Sequence, residues 1–290
     1  MTSQANTTKF LYWNTGRQSI ASIVALASQQ YGLDLILLAE CRDPNSILME
    51  LNRSTDRPFI HQKREAGCID IFCRFPIGNL DILGDHHRMS FLHLRPPIGN
   101  DILVTAVHLP SKRNMQDSNQ TFHCTRLIRK VGEFESRLGH GRTVVVGDFN
   151  INPFEDGLIA AEGFHASPSR HIAKRKSRIV QNTAYTFFYN PMWAHFGDRA
   201  EGPPGTYYYN GSNSTNIYWN MFDQVLIRPD LLDQFDDESV HILTKINDTA
   251  LMSEKGTPNI SDHFPIMFAL NLLEAQNGTK ESVGRAADGR

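Results

Sequence analysis

The sequence predicts a single domain of mixed α/β structure. Short apolar runs typical of buried strands alternate with segments whose apolar residues recur at helical spacing. Polar motifs occur at the ends of these runs from residue 14 to residue 263, which argues against two independent halves. A chain of 290 residues with 40% apolar content is long enough to bury one sizeable core.

The chain opens with a predicted β-α-β unit. Residues 10–13 form an apolar run, and apolar side chains at helical spacing follow in residues 18–30. Gly32 supplies a helix stop, because glycine adopts the left-handed conformation of a helix C-terminus without strain. Residues 34–40 then predict a second strand.

The middle of the chain is richer in predicted strands. Residues 46–51 predict a short helix and residues 68–74 a further strand. Residues 81–94 and 101–108 predict two more strands, and the Pro- and Gly-containing stretch at 96–100 joins them. We expect two strands joined by such a turn to pair antiparallel.

A long helix and three more strands complete the predicted fold. The apolar positions of residues 116–138 have helical spacing, and a glycine-containing stretch ends this helix before a strand at 143–146. Two further apolar runs, at 225–227 and 264–268, come directly after polar motifs instead of before them.

Six polar motifs lie at the ends of the predicted strands. Four follow strands and two precede them, so all six meet at one edge if the last two strands run antiparallel to the others. Each motif alone is also typical of a turn. Together they supply carboxylates for a hard divalent cation, donors for phosphoryl oxygens and a base for water, as phosphate ester hydrolysis requires. The motifs are Trp13-Asn14, Ala39-Glu40, Val107-His108-Leu109-Pro110, Gly147-Asp148-Phe149-Asn150, Phe222-Asp223-Gln224 and Ser261-Asp262-His263.

The ordered set WN, AE, HLP, GDFN, FDQ and SDH resembles the motifs of the endonuclease/exonuclease/phosphatase superfamily over residues 9–270. The resemblance implies the deoxyribonuclease-I-like fold, a four-layer α/β sandwich of two packed mixed β-sheets flanked by helices. We expect one such domain over residues 9–274, after a flexible N-terminus at residues 1–8. The polar, glycine-rich composition of residues 275–290 predicts a disordered tail.

Glu40 is the predicted principal metal ligand. It follows the wholly apolar residues 35–39, and an acid at a buried edge needs a partner such as a cation. The resemblance adds Asp262 as a second carboxylate, and Asn14 as an amide ligand or as the residue that holds Glu40 in place. Oxygen-rich ligation suits Mg²⁺, and we expect Mn²⁺ to substitute.

The resemblance implies catalytic roles for five more residues. Asp223 would orient His263 and stabilise its protonated form, so that His263 can hydrogen-bond the scissile phosphate. Asp148 and Asn150 would position the attacking water and a phosphoryl oxygen, and His108 would supply a further donor. Both Asp148 and His263 are candidates for the base that takes the proton from water.

A basic segment, residues 163–197, is the predicted substrate-facing region. It is rich in Lys, Arg and aromatic residues and contains no acidic residue. One interpretation is a phosphate-backbone track with platforms on which bases stack. The other is a solvated surface with its aromatic side chains in the core. The candidate substrate-binding residues are Lys112, Arg170, Lys174, Arg175, Lys176, Arg178, Tyr208 and Trp219.

Composition limits the cellular setting and the partners. A formal net charge of −2 gives no global basic signature, so contact with nucleic acid depends on a local surface. The four cysteines form neither a Cys-x-x-Cys pair nor a disulfide framework, which fits a reducing cytoplasm. No window reaches the roughly 18 apolar residues that a membrane span needs. No pattern indicates the oligomeric state.

The function favoured by the sequence is metal-dependent hydrolysis of phosphoric ester bonds by a nuclease or phosphodiesterase, endonucleolytic or exonucleolytic, with DNA favoured over RNA. One alternative is a phosphatase or phosphodiesterase for an inositol phosphate, a nucleotide or another small phosphorylated molecule. Another is a binding module without turnover. Gly16 and His108 stand where abasic-site endonucleases of the superfamily carry an acid and a tyrosine, so the chain is closer to the deoxyribonuclease and phosphatase branches. Residues 205–224 are similar to uncharacterised bacterial members.

Overall fold

The computed structural model describes residues 7–53, 55–62, 67–86, 88–111, 117–212 and 214–272. The predicted tail at residues 275–290 and the candidate substrate-binding residue Lys112 lie outside the described residues. The predicted flexible N-terminus needs one correction, because Thr7 and Thr8 already belong to the first strand and pair with its neighbour. No helix among the described residues is long and apolar enough to cross a bilayer.

The described residues form five α-helices, three short 3₁₀ helices and nineteen strands. The α-helices are α1 (Ala21–Tyr31), α2 (Pro44–Leu51), α3 (Asp117–Leu138), α4 (Asp156–Ile159) and α5 (Arg170–Ala173). The 3₁₀ helices span Pro191–His195, Pro229–Gln234 and Asp237–Ser239. The strands are β1 (Thr7–Asn14), β2 (Leu35–Ala39), β3 (Ile60–Gln62), β4 (Ile69–Cys73), β5 (Leu80–His86), β6 (Met89–Leu94), β7 (Ile102–His108), β8 (Thr143–Asp148), β9 (Ala166–Ser167), β10 (Ser177–Val180), β11 (Thr183–Thr186), β12 (Phe188–Tyr189), β13 (Tyr207–Tyr208), β14 (Trp219–Asn220), β15 (Asp223–Ile227), β16 (His241–Ile242), β17 (Lys245–Ile246), β18 (Thr249–Ala250) and β19 (Ile266–Asn271).

Two mixed sheets carry the fold. Sheet 1 has the strand order β16-β19-β1-β2-β4-β3, and sheet 2 has the order β5-β6-β7-β8-β15-β12-β9. The centres of the two sheets are alike: β1 pairs parallel with β2 and antiparallel with β19, while β8 pairs parallel with β7 and antiparallel with β15. Within each sheet, the strand that follows one of the last two motifs therefore runs antiparallel to the strands that precede the first four motifs, which is the condition for all six to meet at one edge.

Side-chain alternation along the strands builds four layers. In β1, Phe10 and Tyr12 point into the core between the sheets, whereas Leu11 and Trp13 point to the outer face beneath α1 and α2. On sheet 2, Val145 faces the outer core that α3 covers, and its neighbours in β8 face the inner one. The predicted four-layer sandwich is confirmed.

The predicted elements agree with the structure in type, with one exception. Residues 81–94 are not one strand but the hairpin of β5 and β6, which pair antiparallel. A polar stretch, residues 84–88, interrupts the apolar run and begins with Gly84-Asp85, so the sequence does contain a turn signal within these residues. Gly32 ends α1 in the left-handed conformation (φ 67°), and its N–H donates to the carbonyl of Ser28, as expected for a helix C-terminus.

Candidate active site

A cavity of about 730 Å³ opens where β1, β2, β7 and β8 end and where β15 begins. Its volume lies within the range of about 300–1,000 Å³ that is typical of ligand sites. All six motifs contribute side chains to it or directly behind it, so the predicted convergence is observed. The lining residues are Asn14, Glu40, His108, Ser111, Asp148, Asn150, Asn152, Phe154, Glu155, Tyr207, Tyr209, Thr215, Asn216, Ile217, Asn220, Phe222, Asp262 and His263.

Asp148 joins the two sheets at the floor of the cavity. Its Oδ2 accepts a hydrogen bond of 3.0 Å from Nδ2 of Asn14, which lies at the end of the central strand of sheet 1. Its Oδ1 accepts a hydrogen bond of 2.8 Å from the backbone N–H of Asn150. The carboxylate is 1% exposed and therefore held in one orientation.

The backbone around Asp148 requires the residues that the motif supplies. A Cβ at Gly147 would lie 1.9 Å from the carbonyl oxygen of Val107, so the close approach of β7 and β8 excludes any side chain there. Asn150 adopts the left-handed conformation (φ 53°), which Asn tolerates better than most residues. Its Nδ2 donates to the carbonyl of Leu109 at 2.8 Å, and its own carbonyl accepts from Gln120 at 3.1 Å.

His263 and Asp223 form a buried pair beside Asp148. Nδ1 of His263 lies 2.7 Å from Oδ2 of Asp223, and its Nε2 lies 3.8 Å from Oδ2 of Asp148. Burial opposes the charged imidazolium, but the two carboxylates outweigh it and raise the pKa of His263 to about 10. Burial raises the pKa of Asp223, and the charge of His263 opposes that shift. The imidazole is therefore protonated at neutral pH.

The position of His263 is fixed by its backbone and by a neighbouring ring. Its carbonyl accepts a hydrogen bond of 2.9 Å from Nε1 of Trp13, and its N–H donates to Oγ of Ser261 at 3.3 Å. The ring of Tyr207 lies 4.7 Å from the imidazole, centroid to centroid, and stacks on Phe222 at 5.2 Å. Nε2 of His263 is consequently held towards the cavity.

Open carboxylate oxygens lie on the sheet 1 side of the cavity. The side chain of Glu40 is 35% exposed, and its Oε1 lies 3.6 Å from Nε2 of His108. The carbonyl of Glu40, which has a left-handed backbone (φ 50°), accepts hydrogen bonds from Thr15 and Arg17. A Cβ at Gly16 would lie 3.2 Å from Oδ1 of Asp262, so the glycine leaves space at this carboxylate.

Two sets of side chains meet the chemical requirements of a divalent metal. Asp148, Asp223 and His263 offer ligand atoms within 4.8 Å of one another. However, His263 and Asp223 already bond each other, and Asp223 is fully buried. Glu40 and Asp262 have accessible carboxylate oxygens, and such oxygens with water in the remaining positions suit Mg²⁺. Glu40 and Asp262 therefore suit a divalent metal better than Asp148, Asp223 and His263 do.

A second cluster of potential ligands, His93, Asp101 and His140, has the wrong proton arrangement for a metal. The backbone N–H of Arg142 donates to Nδ1 of His140, and a guanidinium nitrogen of Arg95 lies 3.0 Å from Nδ1 of His93. Both Nδ1 atoms accept hydrogen bonds, so the proton of each neutral ring is on Nε2. Nε2 faces Oδ2 of Asp101 at 2.7 Å in His93 and at 3.2 Å in His140. This cluster is a hydrogen-bonded structural unit.

No residue of the basic segment lines the cavity, and the role of this segment in substrate binding stays a prediction. Arg170 pairs with Asp237, Lys174 with Asp233 and Lys176 with Asp230. These acids follow the C-terminus of β15, whereas the cavity lies at its N-terminus, about 13 Å away along the strand. Arg178 donates to His165, and neither it nor Arg175 lines the cavity.

The two aromatic candidates also lie outside the cavity. Tyr208 and Trp219 pair across β13 and β14, and Trp219 packs on Phe264 at the outer face of sheet 1. Tyr207 and Tyr209 line the cavity instead, because alternate residues of a strand face opposite sides. The run of three tyrosines in the sequence indicates that tyrosine side chains face the cavity, but it does not show whether these are Tyr208 or its neighbours Tyr207 and Tyr209.

Two further lining residues follow the GDFN motif. Asn152 is two positions beyond Asn150 and lies on the same side, so the alternation of the segment could have found it. Phe154 has no comparable signal in the sequence, because its exposure depends on the turn that follows.

The sequence matches no protein-family model and no curated protein sequence significantly. Solved structures with this fold do match. The endonuclease domain of TRAS1, a telomere-specific non-LTR retrotransposon, superimposes with a TM-score of 0.53 at 13% identity, over 92% of this chain and 100% of that chain. Danio rerio TDP2, complexed with a single-strand DNA product, gives 0.54 at 15% identity over 91% and 99%. An endonuclease/exonuclease/phosphatase family protein from Leptotrichia buccalis gives 0.52 at 14% identity over 90% and 98%. The chain thus has the deoxyribonuclease-I-like fold that its motifs imply.

Proposed function

We propose that this protein is a divalent-metal-dependent phosphodiesterase, and that its substrate is nucleic acid, with DNA favoured over RNA. One observation carries the proposal: a charged imidazole, a buried carboxylate and open carboxylate oxygens face one cavity. His263, Asp148, Glu40 and Asp262 all line this cavity. A phosphodiester needs such a combination, because charge develops on its nonbridging and leaving oxygens during hydrolysis.

His263 acts in this proposal as a hydrogen-bond donor and not as the base. Its Nδ1 is engaged by Asp223, and its pKa of about 10 keeps Nε2 protonated at neutral pH. A protonated Nε2 can donate to a phosphoryl oxygen but cannot accept a proton from water. Asp148, whose Oδ2 lies 3.8 Å from that Nε2, is the remaining candidate and takes the role of general base.

Asn150 and His108 complete the polar surface around the phosphate. One N–H of the Asn150 amide bonds the carbonyl of Leu109, which leaves its second N–H for a phosphoryl oxygen. Nε2 of His108 lies 3.6 Å from Glu40 and 3.8 Å from Asp148, so it is placed to donate to the same group. Both residues stabilise negative charge that increases in the transition state.

Glu40, Asp262 and Asn14 are the proposed metal-holding residues, and Mg²⁺ is the proposed ion, with Mn²⁺ as a substitute. When bound, the ion supplies charge stabilisation to a phosphoryl oxygen. Asn14 also fixes Asp148, since its Nδ2 donates to that carboxylate. The cysteine spacing of the sequence, without a Cys-x-x-Cys pair or a disulfide framework, supports a reducing cytoplasm as the proposed cellular location.

The test is a substrate panel with purified protein. Plasmid, linear and single-stranded DNA, RNA, inositol phosphates and nucleotides are each incubated with Mg²⁺, and with EDTA as the matched control. The proposal expects cleavage of DNA that EDTA abolishes. Release of phosphate from the small molecules with inert DNA and RNA would instead favour a small-molecule phosphatase. No turnover of any member of the panel would leave a binding module as the remaining function.

A further inference from the structure

Phe154 is exposed where a reaction cavity would be expected to be polar. It lies four residues after Asn150, lines the same cavity as His263 and Asp148, and is 43% exposed. Single exposed apolar side chains are common on protein surfaces and need no function. Phe154 differs from such residues in two ways: hydrogen bonds hold the turn that carries it, and other aromatic rings pack against one side of its ring.

The turn that carries Phe154 is rigid. Asn152 is 4% exposed, and its backbone N–H and side chain make four hydrogen bonds within the turn and to the strand region opposite. Its N–H and Nδ2 donate to Oε1 of Glu155, its Nδ2 also donates to Oδ1 of Asn220, and its Oδ1 accepts from the N–H of Met221. The backbone on both sides of Phe154 is therefore held in place.

One side of the Phe154 ring is supported by other aromatic rings. Its centroid lies 6.0 Å from that of Phe196 and 6.5 Å from that of Trp193. These contacts are in the range of favourable aromatic pairs. The rest of the ring faces the cavity, so Phe154 offers a supported flat surface beside the proposed phosphate site.

Two amide side chains of the cavity wall have partners within the protein. Nδ2 of Asn216 donates to the carbonyls of Tyr209 and Gly211, and its Oδ1 accepts from Tyr218. Oδ1 of Asn220 accepts from Asn152. These amides shape the cavity wall and are not placed to read the edges of a base. Among the described lining residues none is Lys or Arg, so the cavity contains no cationic track for several phosphates.

We infer that Phe154 is the stacking platform of a nucleobase subsite next to the scissile phosphate, and that this subsite accepts an unpaired base irrespective of its identity. The inference rests on the proposed function. Stacking on an aromatic ring tolerates every base because each base has a flat face. A base within a duplex already stacks on its neighbours, so the subsite selects a single strand or a frayed end.

The test uses single-stranded hexanucleotides in which one nucleoside at a time is replaced by a tetrahydrofuran abasic analogue. For the wild type, loss of the base at one position beside the cleaved bond lowers kcat/KM about 5- to 100-fold. Phe154→Leu lowers kcat/KM on the intact hexanucleotide by a similar factor and is insensitive to base removal at that position. Phe154→Trp retains the discrimination. DNA and RNA versions of the oligonucleotide identify which nucleic acid the subsite takes.

Phe122→Leu is the matched control, since Phe122 is also an exposed phenylalanine (59%, against 43% for Phe154) and lies on α3, where it does not line the cavity. It leaves kcat/KM and the discrimination unchanged. The inference is overturned if Phe154→Leu, with an unchanged melting temperature, loses the same factor in kcat/KM relative to the wild type on the intact and on the abasic oligonucleotides. Full activity of this variant also overturns it. A wild type that cleaves no oligonucleotide at all contradicts the proposed function itself.

Discussion

His263 and Asp223 are joined by a hydrogen bond of 2.7 Å between Nδ1 and Oδ2, and neither side chain is more than 6% exposed. The bond fixes the proton on Nδ1 and directs Nε2 towards the cavity. Because β15 and β19 both run against their central neighbours, Asp223 at the start of one strand meets His263 before the start of the other. The pair is thus a product of the sheet topology.

The first prediction concerns the titration of His263. In the wild type its imidazole should remain protonated until the pH approaches about 10. In Asp223→Asn its pKa should fall towards or below the ordinary value of about 6.5, because the nearest opposing charge is removed and burial remains. NMR of ¹³C-labelled histidine measures both values. An unchanged titration in Asp223→Asn would contradict the assignment.

The same pair makes stability depend on pH. The pKa of His263 is higher in the folded protein than in the unfolded chain, so its contribution to the free energy of unfolding is complete below about pH 6.5 and is lost as the pH rises to about 10. Denaturant unfolding at several pH values should show this loss in the wild type and a smaller one in His263→Gln. Asp101→Asn, in the separate His93 cluster, should leave the titration of His263 unchanged.

The second prediction concerns the metal. Glu40→Gln and Asp262→Asn keep the shape of each side chain and remove its charge, so each should raise the Mg²⁺ concentration for half-maximal activity at least about tenfold. Glu40→Ala should lower kcat/KM at least about 100-fold. Activity titrations with Mg²⁺ and calorimetry with Mn²⁺ measure the effect. Glu254→Gln, at an exposed site outside the cavity, serves as control, and equal metal dependence in all variants would refute the ligand set.

The third prediction concerns the backbone at the site. Gly147→Ala should lower the free energy of unfolding by more than about 2 kcal/mol, because the new methyl group meets the carbonyl of Val107. Gly132→Ala is the same substitution inside α3, where nothing lies within 4 Å, and it should raise that free energy by roughly 0.5–1 kcal/mol. Chemical denaturation measures both. Equal effects would show that β7 and β8 separate more easily than their spacing indicates.

The fourth prediction concerns the basic segment. Lys174→Ala and Lys176→Ala, together, should leave kcat/KM on DNA within about twofold of the wild type, because both cations pair with acids at the far end of β15. Exposed pairs of this kind contribute at most about 1 kcal/mol to stability, so the variant should fold normally. A large loss of affinity for DNA, with a normal melting temperature, would return these residues to the substrate surface.

The sequence predicted the convergence of the motifs on one condition, because the local pattern shows at which end of a strand each motif lies but not how the strands run relative to one another. An apolar run before Asn14 or Asp148 and one after Asp223 identify strand ends, and two opposed directions bring those ends together. The pairing of Asp223 with His263 was predicted from the family resemblance, because the local pattern shows that a buried acid needs a compensating group but not which group.

The placement of the basic segment and of Phe154 was not predictable in the same way. The basic segment has no acidic residue of its own, but its partners Asp230, Asp233 and Asp237 lie more than 50 residues later, so the ion pairs that hold it are invisible to local composition. The exposure of Phe154 likewise depends on Phe196, which tertiary packing brings beside it.

The most direct test of the central claim compares cleavage of a single-stranded DNA oligonucleotide by the wild type and by His263→Ala in Mg²⁺. His171→Ala, an exposed histidine outside the cavity, is the matched control. When circular dichroism shows that all three proteins are folded, only His263→Ala should lose kcat/KM, by at least about 100-fold. Wild-type activity in His263→Ala would contradict it.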